Sequence, residues 1–527
     1  MVEDNSDANL RAYSSLLDLF DQSCARFSDQ PMVTCMGVTL TYSDVDRLSR
    51  NLAAYFQHGL GLLPKDRIAI QLPNILQYHV AVYAACRAGL IIVNTNPLYT
   101  PRELKHQFSD AQVEAVITLN SILPVINKIK DQTPLKTIIV TGPGDLLGAP
   151  PGVPEGADEL AFMDALEQGK QWDEVPVDIE PDDLLCLQYT GGTTGLSKGA
   201  MLSHGNLVAN VLQVKAGLRS MINDNEETYV VPIPLYHIYA FGLTFGLLAE
   251  GGQLAVLVPD PRNMDAFVAE LKRRPFTGLA GLNTLFVGLC HHEGFRQLDF
   301  SPFKWTASGG AALNQSTAKL WQSVTGVTPA EGYGLTETSP TVTMNTPDDI
   351  RVGTVGKALV DTEIKVVDEE GNSLPCGAVG ELLVRGPQVM RGYWNKPEET
   401  ANVLTGDGWL KTGDMAIIQD DGYVRIVDRL KDMILVSGFN VYPNEIEDVV
   451  MDHPAVMECA AIGVNDEKSG EAVKLFVVRS DPSLDADSLR GYCKENLTSY
   501  KCPKHIEFRE DLPKSNVGKI LRRELRG

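Results

Sequence analysis

The chain has 527 residues, 44% hydrophobic and 22% charged, a mix that excludes collagen-like, low-complexity and largely disordered structure. Lys and Arg total 46 against 68 Asp and Glu, and the resulting formal charge of −22 argues against a protein that coats nucleic acid. At roughly 150 residues per domain, the length predicts about three or four folding units. Taken in chain order, Thr41 or Ser43 caps a predicted helix carrying Val45, Leu48, Leu52, Tyr55 and Phe56 at helical spacing. Residues 67–72 (RIAIQL) read as a short strand, 75–88 as a helix and 90–93 as a buried strand. A helix over 101–109 has Pro101 in its first turn, and strands follow at 115–119 and 137–140. Strands alternating with helices imply parallel-sheet units of α/β class.

The stretch 142–177 is rich in Pro, Gly and acid and reads as a surface excursion rather than a domain boundary. A second α/β run extends from about 182 to 303. Within 354–386, short alternating strands split by EEGN and PCG turns predict a small antiparallel unit. The last hundred residues mix α and β, with a helix at 443–451 opened by Pro443, a strand at 473–478 and a helix at 484–496. The nine cysteines are scattered and form no CxxC pair, which disfavours zinc ribbons and disulfide scaffolds and points to a reducing, cytoplasmic setting. The N-terminus is acidic with no secretory pattern, and the longest uncharged apolar stretch, 238–249, is shorter than the ~20 residues of a membrane span.

Chemistry concentrates in a few segments. LQYTGGTTGLSKGAM at 187–201 follows a strand-like apolar run and precedes a helix beginning near Ser203. Its glycines let backbone N–H groups converge, Thr190, Thr193 and Thr194 add hydroxyls, and Lys198 adds charge, which suits a polyphosphate. It is not a Walker A loop, because Ser197 stands where that pattern has Gly before Lys. The plainer alternative is a Gly- and Thr-rich hairpin. In EGYGLTETSP at 331–340, Tyr333 offers a flat face for a base, Thr336 a hydroxyl for phosphate and Glu337 a hard oxygen for Mg²⁺. SGGAA at 308–312 is a small-residue strand end, including Gly309, where a ligand can lie against backbone. Asp414 follows Gly413 in a turn, where a carboxylate can take ribose hydroxyls or serve as an ordinary turn aspartate. LPKSNVGK at 512–519 ends on Lys519 behind Gly518.

In this order and spacing the segments resemble the adenylate-forming superfamily of acyl-CoA synthetases, luciferases and peptide-synthetase adenylation domains, over nearly the whole chain from TYSDVDRLS at Thr41 to LRREL at Leu521. GWLKTGDMAIIQDDGYVRIVDRLKDMILVSGFNVYPNEIEDVV, PLYHIYAF and GPQVMRGYW are similar to bacterial long-chain fatty acid–CoA ligases. The resemblance implies a large N-terminal domain of α/β subdomains with a small β-barrel-like unit, residues 1–430, and a smaller mobile α+β domain, 431–527. It implies ATP, Mg²⁺ and coenzyme A as cofactors and co-substrates, and a medium- or long-chain fatty acid as the acid that is activated through acyl-AMP.

The implied roles fall on named positions. Thr190, Gly191, Gly192, Thr193, Thr194, Gly195 and Lys198 would hold the β- and γ-phosphates, Thr336 the α-phosphate and Glu337 Mg²⁺. Tyr333 would stack on adenine beside Gly309, and Asp414 with Arg429 would hold the ribose. Lys519 would be the catalytic lysine of adenylation, His237 would stand near the substrate carboxylate, and Lys431 would be the hinge. After the swing, Gly438 would line the pantetheine path. Phe241 stands where relatives can carry a gating Trp, which makes it the candidate acyl gate. Tyr236, Leu243, Phe245 and the apolar residues of 278–289 are candidate tunnel walls. Relatives of this kind can form homodimers, and peripheral contact with the inner face of the cell membrane is expected because the acid partitions into lipid. A stand-alone adenylating enzyme with another acyl acceptor, or a non-catalytic binding protein of the same fold, are the competing readings.

Overall fold

The computed structural model describes residues 9–148, 159–190, 197–221, 227–249, 254–466, 468–515 and 518–526. Two large sheets carry the first two thirds of the chain. The seven-stranded sheet runs Glu159–Ala161, Thr137–Thr141, Val113–Leu119, Arg67–Gln71, Ile91–Asn94, Leu184–Thr190, Lys198–Ser203, parallel until the last pair. Its central strands are apolar runs because helices cover both faces; Ile91–Asn94 is buried at every position. The nine-stranded sheet is parallel at its centre, with antiparallel strands at both ends.

The predicted elements of the first 140 residues are present, with their boundaries set by local chemistry. Helix Tyr42–Ala54 is capped by Thr41, whose Oγ1 accepts from the Asp44 N–H while Asp44 accepts from the Thr41 N–H. Helix Pro101–Ala111 starts on the same reciprocal bonds between Thr100 and Glu103, with Pro101 at its first position. The excursion is only in part superficial. Within it, Glu159–Ala161 forms the edge strand of the seven-stranded sheet, and helix Phe162–Gly169 buries Phe162, Ala165, Leu166 and Gly169. Gly169 lies so close to helix Tyr42–Ala54 that a Cβ there would stand 1.9 Å from the Asn51 carbonyl oxygen. The periodic run FMDAL was masked by the surrounding Pro, Gly and acid.

The small β unit is a four-stranded antiparallel sheet, Glu363–Val367, Val379–Arg385, Leu410–Ile418 and Val424–Arg429. Val366, Leu382, Val384, Ala416 and Val424 pack together with Val342 and Val355 of the preceding chain. The 3₁₀ turn Leu430–Asp432 then leads to a five-stranded sheet with its own core, in which Ile434, Val441, Ile446, Val473, Leu475 and Leu489 are fully or nearly fully buried. Among the described residues no helix is long and apolar enough to cross a membrane.

Candidate active site

Parallel strands deliver ligand-binding groups at their carboxyl ends. Strand Leu184–Thr190 ends at Thr190, which pairs in register with Lys198 on the antiparallel return strand. The hairpin and phosphate-binding alternatives are therefore compatible, since a hairpin is the scaffold. Gly191, Gly192, Thr193, Thr194 and Gly195 lie outside the described residues. Lys198 is partly buried and pairs with Glu399 at 2.5 Å, which holds the Glu399 carboxyl below its ordinary range. The same ammonium lies 4.9 Å from the ring centre of Tyr393.

Tyr393 reaches a second predicted residue. Its hydroxyl donates to Glu337 Oε1 at 2.6 Å, and the Met390 N–H donates to the Glu337 carbonyl at 2.8 Å. The segment around Tyr393 is held because it runs beside strand Lys198–Ser203: the Trp394 N–H bonds the Gly199 carbonyl, and the Met201 N–H bonds that of Gly392. Glu337 therefore presents an oriented, half-buried carboxylate on the short turn Thr336–Thr338, next to the lysine of the hairpin. Among the described residues no cluster of three His, Cys, Asp or Glu side chains forms a protein-only metal cage. One carboxylate completed by phosphate oxygens and water is the usual way Mg²⁺ is held, and Glu337 fits that donor set.

A second group forms around Asp414. Antiparallel register places Asp414 opposite Arg429, with Arg429 Nε 3.4 Å from Asp414 Oδ1. The Tyr333 hydroxyl donates to Asp414 Oδ2 at 2.6 Å. Burial and then the Asp414 charge push the Tyr333 phenol well above its usual range, so it remains a donor. The Asp414 side chain is only 6% exposed while Arg429 is 39% exposed, so the guanidinium forms the open lip of the group.

Lys519 arrives from the far end of the chain. It closes a tight turn in which the Ser515 N–H bonds the Lys519 carbonyl and the Lys519 N–H bonds Ser515 Oγ. Gly518 has φ of +82° and its carbonyl accepts from Thr284 Oγ1 at 3.3 Å. A Cβ there would stand 2.8 Å from that hydroxyl, so glycine lets the turn dock against helix Asn283–His291. Burial, then the charge of Arg429, lowers Lys519 to about 8. Burial, then the Lys519 charge, lowers His237 to about 4. His237 Nδ1 caps helix Ile238–Leu248 by accepting from the Tyr239 N–H. A neutral ring accepting at Nδ1 carries its proton on Nε2, where it can donate to an anion.

The remaining predicted positions scatter. Gly309 packs against Tyr239, where a Cβ would stand 3.1 Å from the ring. Phe241 is completely buried, 4.8 Å from Phe245 between ring centres. Lys431 is exposed on the 3₁₀ turn, and Gly438 is exposed in the bend between Ile434–Val436 and Phe439–Val441 with φ of +83°. Sequence reasoning assigned no role to Tyr393, Glu399 or Glu331. Burial pushes Glu331 up to about 8, and Asp448 of helix Pro443–Met451 adds to the shift. Only the motif GPQVMRGYW held a signal for Tyr393. The turn at Lys519 is supported by Arg522, which bonds Glu447 at 2.7 Å and Asp428 at 3.3 Å and so joins both sides of the Leu430–Asp432 turn.

A pH dependence follows from the Lys519 shift. Lysine is charged below its pKa, so any step needing that charge is complete near neutrality and declines as pH rises through about 8. Lys519→Arg, cationic throughout, is expected to lack that decline. Pyrophosphate release at subsaturating ATP, followed from about pH 6.5 to about pH 9.5, is the check.

Comparison with known proteins agrees with this geometry. The AMP-binding enzyme family matches residues 20–394, and the AMP-binding enzyme C-terminal domain matches 445–519. A long-chain-fatty-acid–CoA ligase of Escherichia coli O6:H1 is 47% identical, over 99% of this chain and 96% of that protein. One from Bacillus subtilis is 37% identical, over 97% and 94%. ATP-bound MatB from Rhodopseudomonas palustris superposes with a TM-score of 0.85 at 30% identity, over 97% of this chain and 98% of that one. The anthranilate CoA ligase AuaEII in complex with anthranoyl-AMP gives 0.88 at 25% identity, over 99% and 98%. With family matches at both ends and relatives above 30% identity along almost its whole length, this chain belongs to the AMP-binding enzyme family, the adenylate-forming superfamily.

Proposed function

We propose that the protein converts a medium- or long-chain fatty acid to its CoA thioester through acyl-AMP. In the first half-reaction a carboxylate oxygen attacks the α-phosphorus of ATP and pyrophosphate leaves. In the second the CoA sulfur attacks the acyl carbon, AMP leaves and the thiol proton is released. A carboxylate is a poor acyl donor and a mixed anhydride a good one, so the protein must hold two anions together and balance the developing charge.

The observation that carries this reading is the docking of the Lys519 turn, from the last residues of the chain, on helix Asn283–His291 through the Thr284 bond to the Gly518 carbonyl, where burial and then the Arg429 charge lower the lysine. In this reading Lys519 bridges the fatty acid carboxylate and the α-phosphate, and the neutral His237 donates to the carboxylate. Thr190, Lys198 and the 191–195 segment hold the outer phosphates, Thr336 the α-phosphate, and Glu337 Mg²⁺, which neutralises phosphate charge. Tyr333 lies against adenine near Gly309, and Asp414 with Arg429 holds the ribose. Lys198 must exchange Glu399 for phosphate, which costs little because Glu399 is 47% exposed.

Residues 1–430 and 431–527 are two domains in this proposal, turning about Lys431 between the half-reactions so that Lys519 withdraws and Gly438 approaches. The change of sheet across Leu430–Asp432 supports that division. Contact with a membrane surface, where the acid partitions, and pairing of two copies are further parts of the proposal; flotation with vesicles and sedimentation test them.

Incubation with ATP, Mg²⁺, CoA and acids from about C6 to about C18 should give AMP and thioester, with the buried-CH₂ increment of ~0.8 kcal/mol visible across the series. Acyl-AMP that never passes to CoA would overturn the second half, and no adenylate would overturn the whole. Phe241 stands one helical turn beyond His237, with Phe245 a further turn along. Full removal of so buried a ring costs about 3–5 kcal/mol, so Phe241→Leu is the better probe. It should shift chain-length preference with the ATP response unchanged; an unaltered acid profile would reduce Phe241 to packing.

A further inference from the structure

Helix Pro101–Ala111 takes no part in the functional reading above, yet it touches both sides of the phosphate-binding hairpin. It is a fixed element. Its first turn is capped reciprocally, Leu104, Phe108 and Ala111 are fully buried, and Gln107 Nε2 donates to the Asn94 carbonyl at 3.1 Å. His106 and Asp110 are four residues apart and so share one face. His106 Nε2 donates to the Ser197 carbonyl at 2.8 Å. Asp110 Oδ2 accepts from the Tyr189 hydroxyl at 2.6 Å. Tyr189 immediately precedes Thr190, and Ser197 immediately precedes Lys198, so the two bonds grip the two stems of the hairpin. The Asp110 carbonyl makes a third contact, accepting from Trp394 Nε1 at 3.1 Å. The neighbour of Trp394 is Tyr393, whose ring lies beside Lys198 and whose hydroxyl holds Glu337.

We infer that His106 and Asp110 are positioning residues for the ATP phosphates. Together they form a two-point clamp that holds the strand ends carrying the register-paired Thr190 and Lys198 against the helix and, through Trp394, aligns Tyr393 with Glu337. The inference rests on the reading of the hairpin as the phosphate site. Its physical basis is preorganisation: an ammonium aimed at phosphate is worth more when its strand cannot drift, because less motion is frozen on binding. Ser197 makes such a clamp useful. A proline there would fix φ and stiffen the stem by itself, whereas serine leaves the backbone freer. Neither side chain touches the acyl or ribose groups of the site, so the effect belongs to ATP alone.

The test is a split of kinetic constants with a binding readout. His106→Leu removes the donor, His106→Gln restores an N–H near the same place, and Tyr189→Phe removes one hydroxyl at the other stem. For His106→Leu and for Tyr189→Phe, the KM for MgATP and the Kd for ATP in the absence of acid should each rise about five- to tenfold, as for one lost hydrogen bond apiece. The KM values for fatty acid and CoA should stay within about twofold, and His106→Gln should recover most of the loss. Should His106→Leu fail to accumulate, Tyr189→Phe reads the clamp by itself. An unchanged Kd for ATP in the variants, or an equal rise in all three KM values, overturns the clamp. Wild-type enzyme that does not bind ATP overturns the underlying reading instead, so the two failures are distinguishable.

Discussion

Lys519→Ala is expected to lose acyl-AMP formation by about 10²–10⁴-fold while still converting supplied acyl-AMP and CoA to thioester at close to the normal rate. The asymmetry follows from geometry. Lys519 is half-buried within electrostatic reach of Arg429, Asp414 and His237, and its lowering to about 8 is mainly a burial effect. An ammonium held out of water is worth more to a developing oxyanion than one on the surface, and alanine leaves nothing in its place. The turn should survive, since its anchors are backbone groups and Ser515 together with the Thr284 bond to Gly518. In the second half-reaction the proposed domain rotation has already withdrawn this lysine. Rapid-quench measurement of each half-reaction separately decides the matter. Equal loss in both would mean that Lys519 supports the fold or both chemistries and is not the adenylation lysine.

The second large effect concerns Glu337. Glu337→Gln should slow adenylation by about 10²–10³-fold and move the Mg²⁺ requirement to higher concentration. The substitution is nearly isosteric, and the introduced amide keeps a carbonyl oxygen for the Tyr393 hydroxyl that now bonds Glu337 Oε1 at 2.6 Å. The Met390 bond to the Glu337 carbonyl is a backbone bond and is untouched. Shape is therefore conserved and only charge is lost, which isolates the hard-oxygen role. Adenylation rates over a Mg²⁺ series, compared with Tyr393→Phe, separate loss of the ligand from loss of its orientation; Tyr393→Phe should be milder. A normal Mg²⁺ dependence in the Glu337→Gln enzyme would remove Glu337 from the metal site.

Much of the local structure was legible because its causes are local. Thr41 and Asp44, or Thr100, Pro101 and Glu103, lie within one helical turn and announce a helix start without reference to anything distant. The run Leu90–Val93 announces burial by being apolar throughout. The buried part of 142–177 is not legible in the sequence because its periodic piece, Phe162–Gly169, is short and flanked by Pro, Gly and acid. Its burial depends on helix Tyr42–Ala54, more than a hundred residues earlier.

The sequence determined the fold class, and its motifs, with the family resemblance they carry, determined the candidate set: Thr190, Lys198, Tyr333, Thr336, Glu337, Asp414, Arg429 and Lys519. Only the tertiary structure decided how those residues group. It joins Lys198 to Glu337 through Tyr393 and Tyr333 to Arg429 through Asp414, and it brings in Glu399, His106 and Asp110, which no motif had marked. The physical reason is the range of the interactions. Caps, turns and periodicity act over three or four residues and are written in the order of the chain. A single hydrogen bond or ion pair between distant segments is specified by no local pattern, and exists only because the sheets and helices have already packed.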